Sequence, residues 1–264
     1  MDQPAAPQRI VVLNTKGGSG KTTVATNLAA YYAWVGRRVA LTDLDPQGSS
    51  MRWLSQRPAD APPIHGIAGF ERRINVTRAF ALRSPPGTER IVVDTPAALP
   101  AAHMSETVRD ASAIIVPVLP SDIDIHAASR CIADLLLVAK VHRSEQRLVI
   151  VANRARRYTK AFQSLMRFLK SLKIPVAAVL RDSQAYMRSA ETGLGLHEMK
   201  GALLQEDVET WKPLIEWLER RSGALLPARD DAVPEGQAAA EPATEPATAS
   251  AGSALSSPYW PVGR

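Results

Sequence analysis

Short apolar runs alternate along this chain with longer segments in which apolar residues recur every three or four positions. The short runs are rich in β-branched residues and carry few polar side chains, as is typical of strands that are buried on both faces. They predict strands at residues 9–14, 38–43, 90–94, 113–118, 148–153 and 176–180.

The periodic segments predict helices at residues 22–35, 125–141, 161–172 and 203–218. Strand and helix therefore alternate, which indicates an α/β fold with a single doubly wound, mostly parallel β-sheet and helices on both faces. In such a sheet the ligand lies outside the carboxyl ends of the strands. The proline-rich segment 56–86 is less regular, and we interpret it as a surface excursion with one helix near residues 70–82.

The composition of the chain changes near residue 222. From there on Ala, Pro, Ser, Thr and Glu dominate, and too few large apolar residues remain to offset the entropy of ordering the segment. We therefore predict a folded domain at residues 1–221 and a disordered, acidic, Ala/Pro-rich tail at residues 222–264.

A glycine-rich segment, Lys16-Gly-Gly-Ser-Gly-Lys-Thr-Thr23, lies between the first predicted strand and the first predicted helix. Glycines let backbone N–H groups converge on phosphate oxygens, and the helix N-terminus adds partial positive charge. The segment predicts a P-loop in which Lys21 reaches the β- and γ-phosphates and Thr22 ligates Mg²⁺. A glycine turn with an incidental lysine is the alternative. The predicted nucleotide-binding residues are Gly17, Gly18, Ser19, Gly20, Lys21, Thr22 and Thr23.

Two further motifs end buried strands on the same edge of the predicted sheet. Asp43-Leu-Asp-Pro-Gln-Gly48 follows the second strand, and Arg90-Ile-Val-Val-Asp-Thr-Pro96 contains the third. A carboxylate at Asp94, beside the P-loop, suits the binding of Mg²⁺ through water. For Asp43, a role in forming the turn and a direct catalytic role both remain open.

These three motifs, in this order, resemble those of the ParA/MinD family of P-loop ATPases over about residues 9–220. The glycine that usually stands six residues before the P-loop lysine is Thr15 here, and the loop has the family's "deviant" form with an extra lysine at its start. The resemblance implies that the extra lysine, Lys16, crosses to the partner's nucleotide in an ATP-bound homodimer. It also implies that Asp45 orients the attacking water and that Asn153 contacts adenine. Ala97 replaces the second proline of the family's Asp-x-Pro-Pro.

Positive charge is concentrated in the second half of the predicted domain. The formal net charge is +6, and residues 153–173 contain basic residues but no Asp or Glu. Such a surface suits contact with the phosphates of double-stranded DNA without sequence preference, as the resemblance also implies, although a solvated helix face is the alternative. The predicted DNA-binding residues are Arg154, Arg156, Arg157, Lys160 and Lys170.

These observations together favour an ATP-dependent, dimerising switch in the cytoplasm, associated with the nucleoid. From the resemblance we expect a cargo adaptor to stimulate weak ATP hydrolysis, and a plasmid, a chromosome or a protein assembly such as a carboxysome or chemoreceptor cluster to be the cargo. The single cysteine, Cys131, argues against a nitrogenase-type iron protein, which needs two per chain. No apolar stretch is long enough to cross a bilayer, and the tail lacks an amphipathic membrane helix. The alternatives are a MinD-like, membrane-associated regulator of cell division and a P-loop metabolic ligase.

Overall fold

The computed structural model describes residues 6–71, 77–201 and 204–222. Its centre is a seven-stranded parallel sheet with the strand order β3-β2-β4-β1-β5-β6-β7. The strands are β1 (Gln8–Val12), β2 (Val39–Asp43), β3 (Ile64–Ala68), β4 (Arg90–Asp94), β5 (Ala113–Val118), β6 (Leu148–Ala155) and β7 (Val176–Arg181).

Helices connect successive strands, three more follow β7, and together they cover both faces of the sheet. They are α1 (Lys21–Trp34), α2 (Ser49–Ser55), α3 (Arg78–Ala81), α4 (Ala101–Val108), α5 (Asp122–Leu137), α6 (Lys160–Leu172), α7 (Ala185–Thr192), α8 (Gln205–Glu209) and α9 (Lys212–Ser222).

Two apolar clusters, one on each face, hold these layers together. One contains buried residues of α1, α7 and α9 packed on strand residues such as Ile10 and Leu41. The other contains buried residues of α4, α5 and α6, including the fully buried Cys131, packed on alternate strand residues such as Val11 and Val93. Neighbouring residues of one strand thus face different clusters, which is why the strands are apolar throughout. The predicted fold class is confirmed.

Helix boundaries at the carboxyl edge of the sheet follow from local capping. Helix α5 begins after Ser121, whose hydroxyl accepts a hydrogen bond from the Asp124 N–H at 3.2 Å. Helix α6 begins in the same way after Thr159, which accepts from the Phe162 N–H at 3.2 Å. Both side chains satisfy backbone donors of the first helical turn.

All six predicted strands are present, but the prediction of the other elements was incomplete. It omitted β3, α2, α4 and α7. Among the described residues, the predicted helix at 203–218 is two helices, α8 and α9, and the predicted helix near 70–82 includes Arg78–Ala81. The predicted tail lies outside the described residues, apart from Ser222. Within the part of the chain that the structure describes, no helix is long and apolar enough to cross a membrane.

Candidate nucleotide-binding site

The predicted site residues converge at the carboxyl edge of the sheet. The P-loop joins β1 to α1, Asp43 and Asp94 end the adjacent strands β2 and β4, and Asn153 lies near the end of β6. In the register of the sheet Asp43 stands directly opposite Asp94. The three motifs are separated along the chain, and the parallel topology alone brings them together.

The P-loop is held from both sides by asparagine side chains. Asn14 accepts a hydrogen bond from the Lys16 N–H at 3.0 Å and donates to the Pro117 carbonyl at 2.8 Å. Asn153 donates to the Ser19 carbonyl at 3.0 Å and accepts from the Arg154 N–H at 2.9 Å. Sequence analysis missed the role of Asn14.

Asn153 therefore has a task that the sequence did not indicate. Its side chain is buried, with 2% of the residue exposed, and both of its polar atoms bond to the protein backbone. It supports the loop that would enclose the phosphates. Its contact with adenine stays a prediction; the amide keeps a second N–H and a second lone pair for such a contact.

Lys21, the first residue of α1, is buried beneath the loop. Its Nζ donates to the Lys16 carbonyl at 3.2 Å, and 7% of the residue is exposed. Burial lowers the pKa of Lys21, while the carboxylates of Asp94 and Asp45 oppose that shift. A cation in this position complements the charge of a polyphosphate.

One carboxylate oxygen of Asp94 joins the P-loop to helix α2. Asp94 Oδ2 accepts from the Thr22 hydroxyl at 2.7 Å and from the Ser50 hydroxyl at 2.8 Å. Asp94 is fully buried. Burial raises its pKa to about 6; the two hydroxyl donors oppose this rise, and the charge of Asp43 adds to it.

The second oxygen of Asp94 gives a test of the predicted magnesium site. Asp94 Oδ1 is buried and has no hydrogen-bond partner among the described residues. Buried polar atoms in folded proteins nearly always have a bonding partner, so this oxygen is available to a further partner. A carboxylate beside a hydroxyl offers hard oxygen ligands of the type that Mg²⁺ prefers. The residues present thus fit the predicted metal.

Asp43 shapes the loop that carries Asp45. Its carboxylate accepts hydrogen bonds from the backbone N–H groups of Asp45 at 3.0 Å, Ser50 at 2.9 Å and Met51 at 3.1 Å. Burial raises the pKa of Asp43, and these three donors oppose the shift. Of the two roles left open for Asp43, these contacts support formation of the turn.

Asp45 stands in this turn, half-buried. Its Oδ1 accepts from the Gln47 N–H at 3.0 Å, an Asx turn that fixes the direction of the side chain. Its role in orienting water stays a prediction.

Lys16 forms an ion pair within its own chain. Its Nζ lies 2.9 Å from Oδ1 of Asp124, in the first turn of α5. The lysine side chain is 33% exposed and the aspartate side chain 10%. Asp124 also accepts a short hydrogen bond from the Ser121 hydroxyl. Sequence analysis did not identify Asp124.

The predicted DNA-binding residues form one exposed surface, which we call the basic surface. Arg154, Arg156 and Arg157 lie at the end of β6 and just after it, and all are exposed. Exposed side chains then follow one face of α6, at Lys160, Gln163, Arg167 and Lys170.

An acidic residue lies within the basic surface. Asp182, just after β7, is 3.3 Å from Arg154 and 2.7 Å from Arg156. These arginines, Arg156 first, lower the pKa of Asp182. The prediction that this region is free of acidic residues therefore holds for the sequence span but not for the surface, because Asp182 comes from the next strand.

Comparison with known proteins agrees with the geometry of the site. Residues 10–196 match the family model described as the CobQ/CobB/MinD/ParA nucleotide binding domain. "Maintenance of carboxysome distribution protein A" of Gloeobacter kilaueensis is 31% identical over 223 residues, which cover 81% of this chain and 95% of that protein.

Two solved structures share the fold of this chain. A protein described as a plasmid partition protein of Borrelia burgdorferi B31, bound to AMPPNP, has a TM-score of 0.59 at 15% identity over 80% of this chain and 100% of its own. A chain of the MinC:MinD cell division protein complex of Aquifex aeolicus gives a TM-score of 0.60 at 17% identity, over 84% of this chain and 99% of the matched one. At such identities the likeness is one of fold.

Proposed function

The chain belongs to the CobQ/CobB/MinD/ParA family of nucleotide-binding domains, and we propose that it is an ATP-hydrolysing switch that dimerises with ATP, binds DNA and positions an intracellular cargo. The observation that carries this proposal is the contact of the P-loop and of helix α2 with Asp94, where the hydroxyls of Thr22 and Ser50 both donate to one buried carboxylate oxygen.

ATP with Mg²⁺ is the ligand that this arrangement supports. Residues Gly17 to Thr23 would hold the phosphates, with Lys21 against the terminal ones. Thr22 and Asp94 would hold Mg²⁺, which offsets charge that develops on the phosphates. The structure of the plasmid partition protein that resembles this chain contains AMPPNP, and this supports the choice of nucleotide.

For hydrolysis, Asp45 is the proposed positioning group for the attacking water. Its backbone is anchored by Asp43, so the carboxylate is presented on an ordered turn at the same edge as the P-loop. A water that donates a hydrogen bond to this carboxylate would be oriented to attack the terminal phosphate.

Dimer formation would bring Lys16 of each protomer to the triphosphate held by its partner. A cation placed there stabilises the charge of the transferring phosphoryl group. Within one chain Lys16 is instead paired with Asp124, so this role requires the pair to open.

DNA is the proposed partner of the basic surface, and the contact would be to phosphates. The ion pairs with Asp182 offset part of the charge of Arg154 and Arg156. Among the described residues no ion pair involves Arg157, Lys160, Arg167 or Lys170, so these four supply most of the uncompensated positive charge. Binding without base contacts gives association that weakens steeply with salt.

The cargo is proposed from a relative that is 31% identical to this chain and is named for carboxysome distribution. A protein assembly is accordingly the favoured cargo, with a plasmid or chromosome as the second candidate, since a plasmid partition protein shares the fold. An adaptor on the cargo would stimulate hydrolysis. The site of action would be the nucleoid in the cytoplasm.

The test measures ATPase turnover and DNA binding of the full chain with ADP, with ATP and with AMPPNP, for the wild type and for Lys16→Ala. We expect DNA to be bound only with ATP or AMPPNP and the variant to lose both dimerisation and DNA binding. Equal DNA affinity in all nucleotide states would contradict the proposal. Retention on anionic vesicles with ATP would favour the membrane-associated regulator instead, and turnover with a small carboxylic acid would favour a ligase.

The basic surface has its own test. The triple variant Arg156→Ala, Arg157→Ala, Lys160→Ala should lower the slope of log affinity against log salt by about three, one for each lost phosphate contact. A matched control removes three exposed arginines from the segments that lead into β2, β5 and β6, at the opposite edge of the sheet: Arg38, Arg109 and Arg143. Equal effects of the two triple variants would show that only net charge matters.

A further inference from the structure

Ser50 occupies an unusual position between the two buried aspartates of the site. It is the second residue of α2 and is fully buried. Its N–H donates to Asp43 Oδ2 at 2.9 Å, and its hydroxyl donates to Asp94 Oδ2 at 2.8 Å. One residue thus connects the carboxylate that shapes the Asp45 turn with the carboxylate proposed to hold magnesium.

We infer that Ser50 is a positioning residue that transmits the state of the magnesium site to α2 and to the Asp45 turn. This inference rests on the proposed function and deepens it. Thr22 donates to the same Asp94 oxygen at 2.7 Å, so any shift of this carboxylate moves the donors on both sides. The P-loop lies on one side and α2 on the other.

The geometry allows both hydroxyls to keep these bonds when a metal is present. A hydroxyl has one proton and two lone pairs, so Thr22 can donate to Asp94 and still offer a lone pair to a cation. Ser50 uses its proton in the same way. The carboxylate would then keep both donors, so that they would move with it, and Asp94 Oδ1 would be free to accept from a water on the metal.

The consequences for α2 reach beyond its first turn. Trp53 donates its indole N–H to the Ser189 carbonyl of α7 at 2.9 Å. Arg57, just after α2, forms a buried ion pair with Glu198. Because these contacts fix the far end of α2, a change at Ser50 acts mainly on the turn before it, which carries Asp45.

The test is hydrogen exchange of the Ser50 and Met51 amides, whose N–H groups donate to Asp43. In the wild-type chain we expect Mg²⁺ with AMPPNP to slow their exchange by about tenfold. In Ser50→Ala we expect less than about twofold slowing, with nucleotide binding within about twofold of wild type and kcat about tenfold lower at a similar KM. Ser49→Ala, a neighbouring hydroxyl outside these bonds, is the matched control and should behave as wild type.

The outcomes separate this inference from the proposed function. If the wild-type chain binds no nucleotide, the proposed function fails. If it does and Ser50→Ala keeps the full nucleotide-dependent slowing, the inference is wrong. If the α2 amides of Ser50→Ala exchange fast both with and without nucleotide, Ser50 is only a structural anchor, and the inference is again wrong. Ser50→Cys has a side chain of similar size with a weak hydrogen-bond donor, so it tests the loss of the bond with less risk that α2 unfolds. We expect it to slow exchange to an intermediate degree. If α2 is folded in Ser50→Cys and the slowing is no greater than in Ser50→Ala, a hydrogen-bond relay is also contradicted.

Discussion

Replacing Asp124 by asparagine removes the negative charge that holds Lys16 against its own chain. The two side chains are 2.9 Å apart, and in the proposed dimer Lys16 must leave this position to reach the partner's nucleotide. The ion pair therefore stabilises the monomer relative to the dimer. Asp124→Asn should strengthen ATP-dependent dimerisation.

The size of the effect follows from the exposure of the pair. Ion pairs between exposed side chains contribute about 0.2–1 kcal/mol. Asp124 is 10% exposed but Lys16 is 33% exposed, so after allowing for solvent screening we take about 1 kcal/mol, the upper end of that range. Each dimer opens two such pairs, at a cost of about 2 kcal/mol. Since about 1.4 kcal/mol corresponds to a factor of ten, the dissociation constant of the dimer should fall about 30-fold.

Analytical ultracentrifugation with Mg²⁺ and AMPPNP measures this dissociation constant. The matched control is Asp122→Asn, because Asp122 lies in the same first turn of α5 and its loss has the same effect on the helix dipole. A dissociation constant for Asp124→Asn that is equal to or larger than that of Asp122→Asn would refute the reasoning.

Three further predictions concern the loop, the α2 anchor and the buried carboxylate. Gly20→Ala places a Cβ 2.0 Å from Asn153 Nδ2 at a backbone φ of +90°, so urea unfolding should show a loss of about 2–4 kcal/mol in the free energy of unfolding, and a fluorescent ATP analogue should no longer bind. Glu198→Gln leaves the buried Arg57 guanidinium without its charge partner, and urea unfolding should show a loss of about 3–5 kcal/mol. The pKa of Asp94 is raised by burial to about 6, so the folded state binds this proton more tightly than the unfolded state does. The contribution of Asp94 to the free energy of unfolding, measured against Asp94→Asn, should therefore grow as the pH falls from about 6 to about 4. Over the same range calorimetric titration should show weaker magnesium binding, since the metal requires the carboxylate.

Matched variants control for general effects of these changes. Gly18→Ala also has a positive φ, +76°, but its Cβ would meet nothing described within 4 Å, so only about 1 kcal/mol of strain is expected. Glu216→Gln breaks an exposed pair with Arg220 and should change the free energy of unfolding by less than about 0.5 kcal/mol. Equal losses in a variant and its control, or magnesium binding that does not change with pH, would contradict the corresponding prediction.

The sequence predicts the centre of the sheet well and its edge poorly. Strands such as β5 have apolar residues on both faces and are evident from composition alone. Only one residue of the edge strand β3, Ile67, is buried, and the strand includes Gly66, where a Cβ would lie 2.6 Å from Leu54. A short strand with a glycine at its centre has no recognisable apolar run, which explains why β3 was missed.

The residues of the site also divide into those that the sequence predicts and those that only the structure identifies. The P-loop and its carboxylates lie in contiguous motifs, so they can be found without a structure. Ser50, Asn14 and Asp124 act on residues far away in the chain: Ser50 on Asp94, 44 residues on, and Asn14 on Pro117, 103 residues on. Their side chains are ordinary turn and helix-cap types in the sequence, and only the parallel topology gives them their partners.

The anchors on the two sides of the nucleotide site differ in strength, and this difference determines which part moves first. Lys16 is held by one partly exposed ion pair, whereas α2 is held by Asp43, by Asp94 and by the buried pair of Arg57 with Glu198. Micromolar nucleotide binding corresponds to about 8 kcal/mol, several times the cost of about 1 kcal/mol for releasing Lys16. Breaking the buried pair alone costs about 3–5 kcal/mol. We therefore expect the partner's nucleotide to compete with Asp124 for Lys16 while α2 remains docked, so that dimerisation precedes any rearrangement of the turn that carries Asp45.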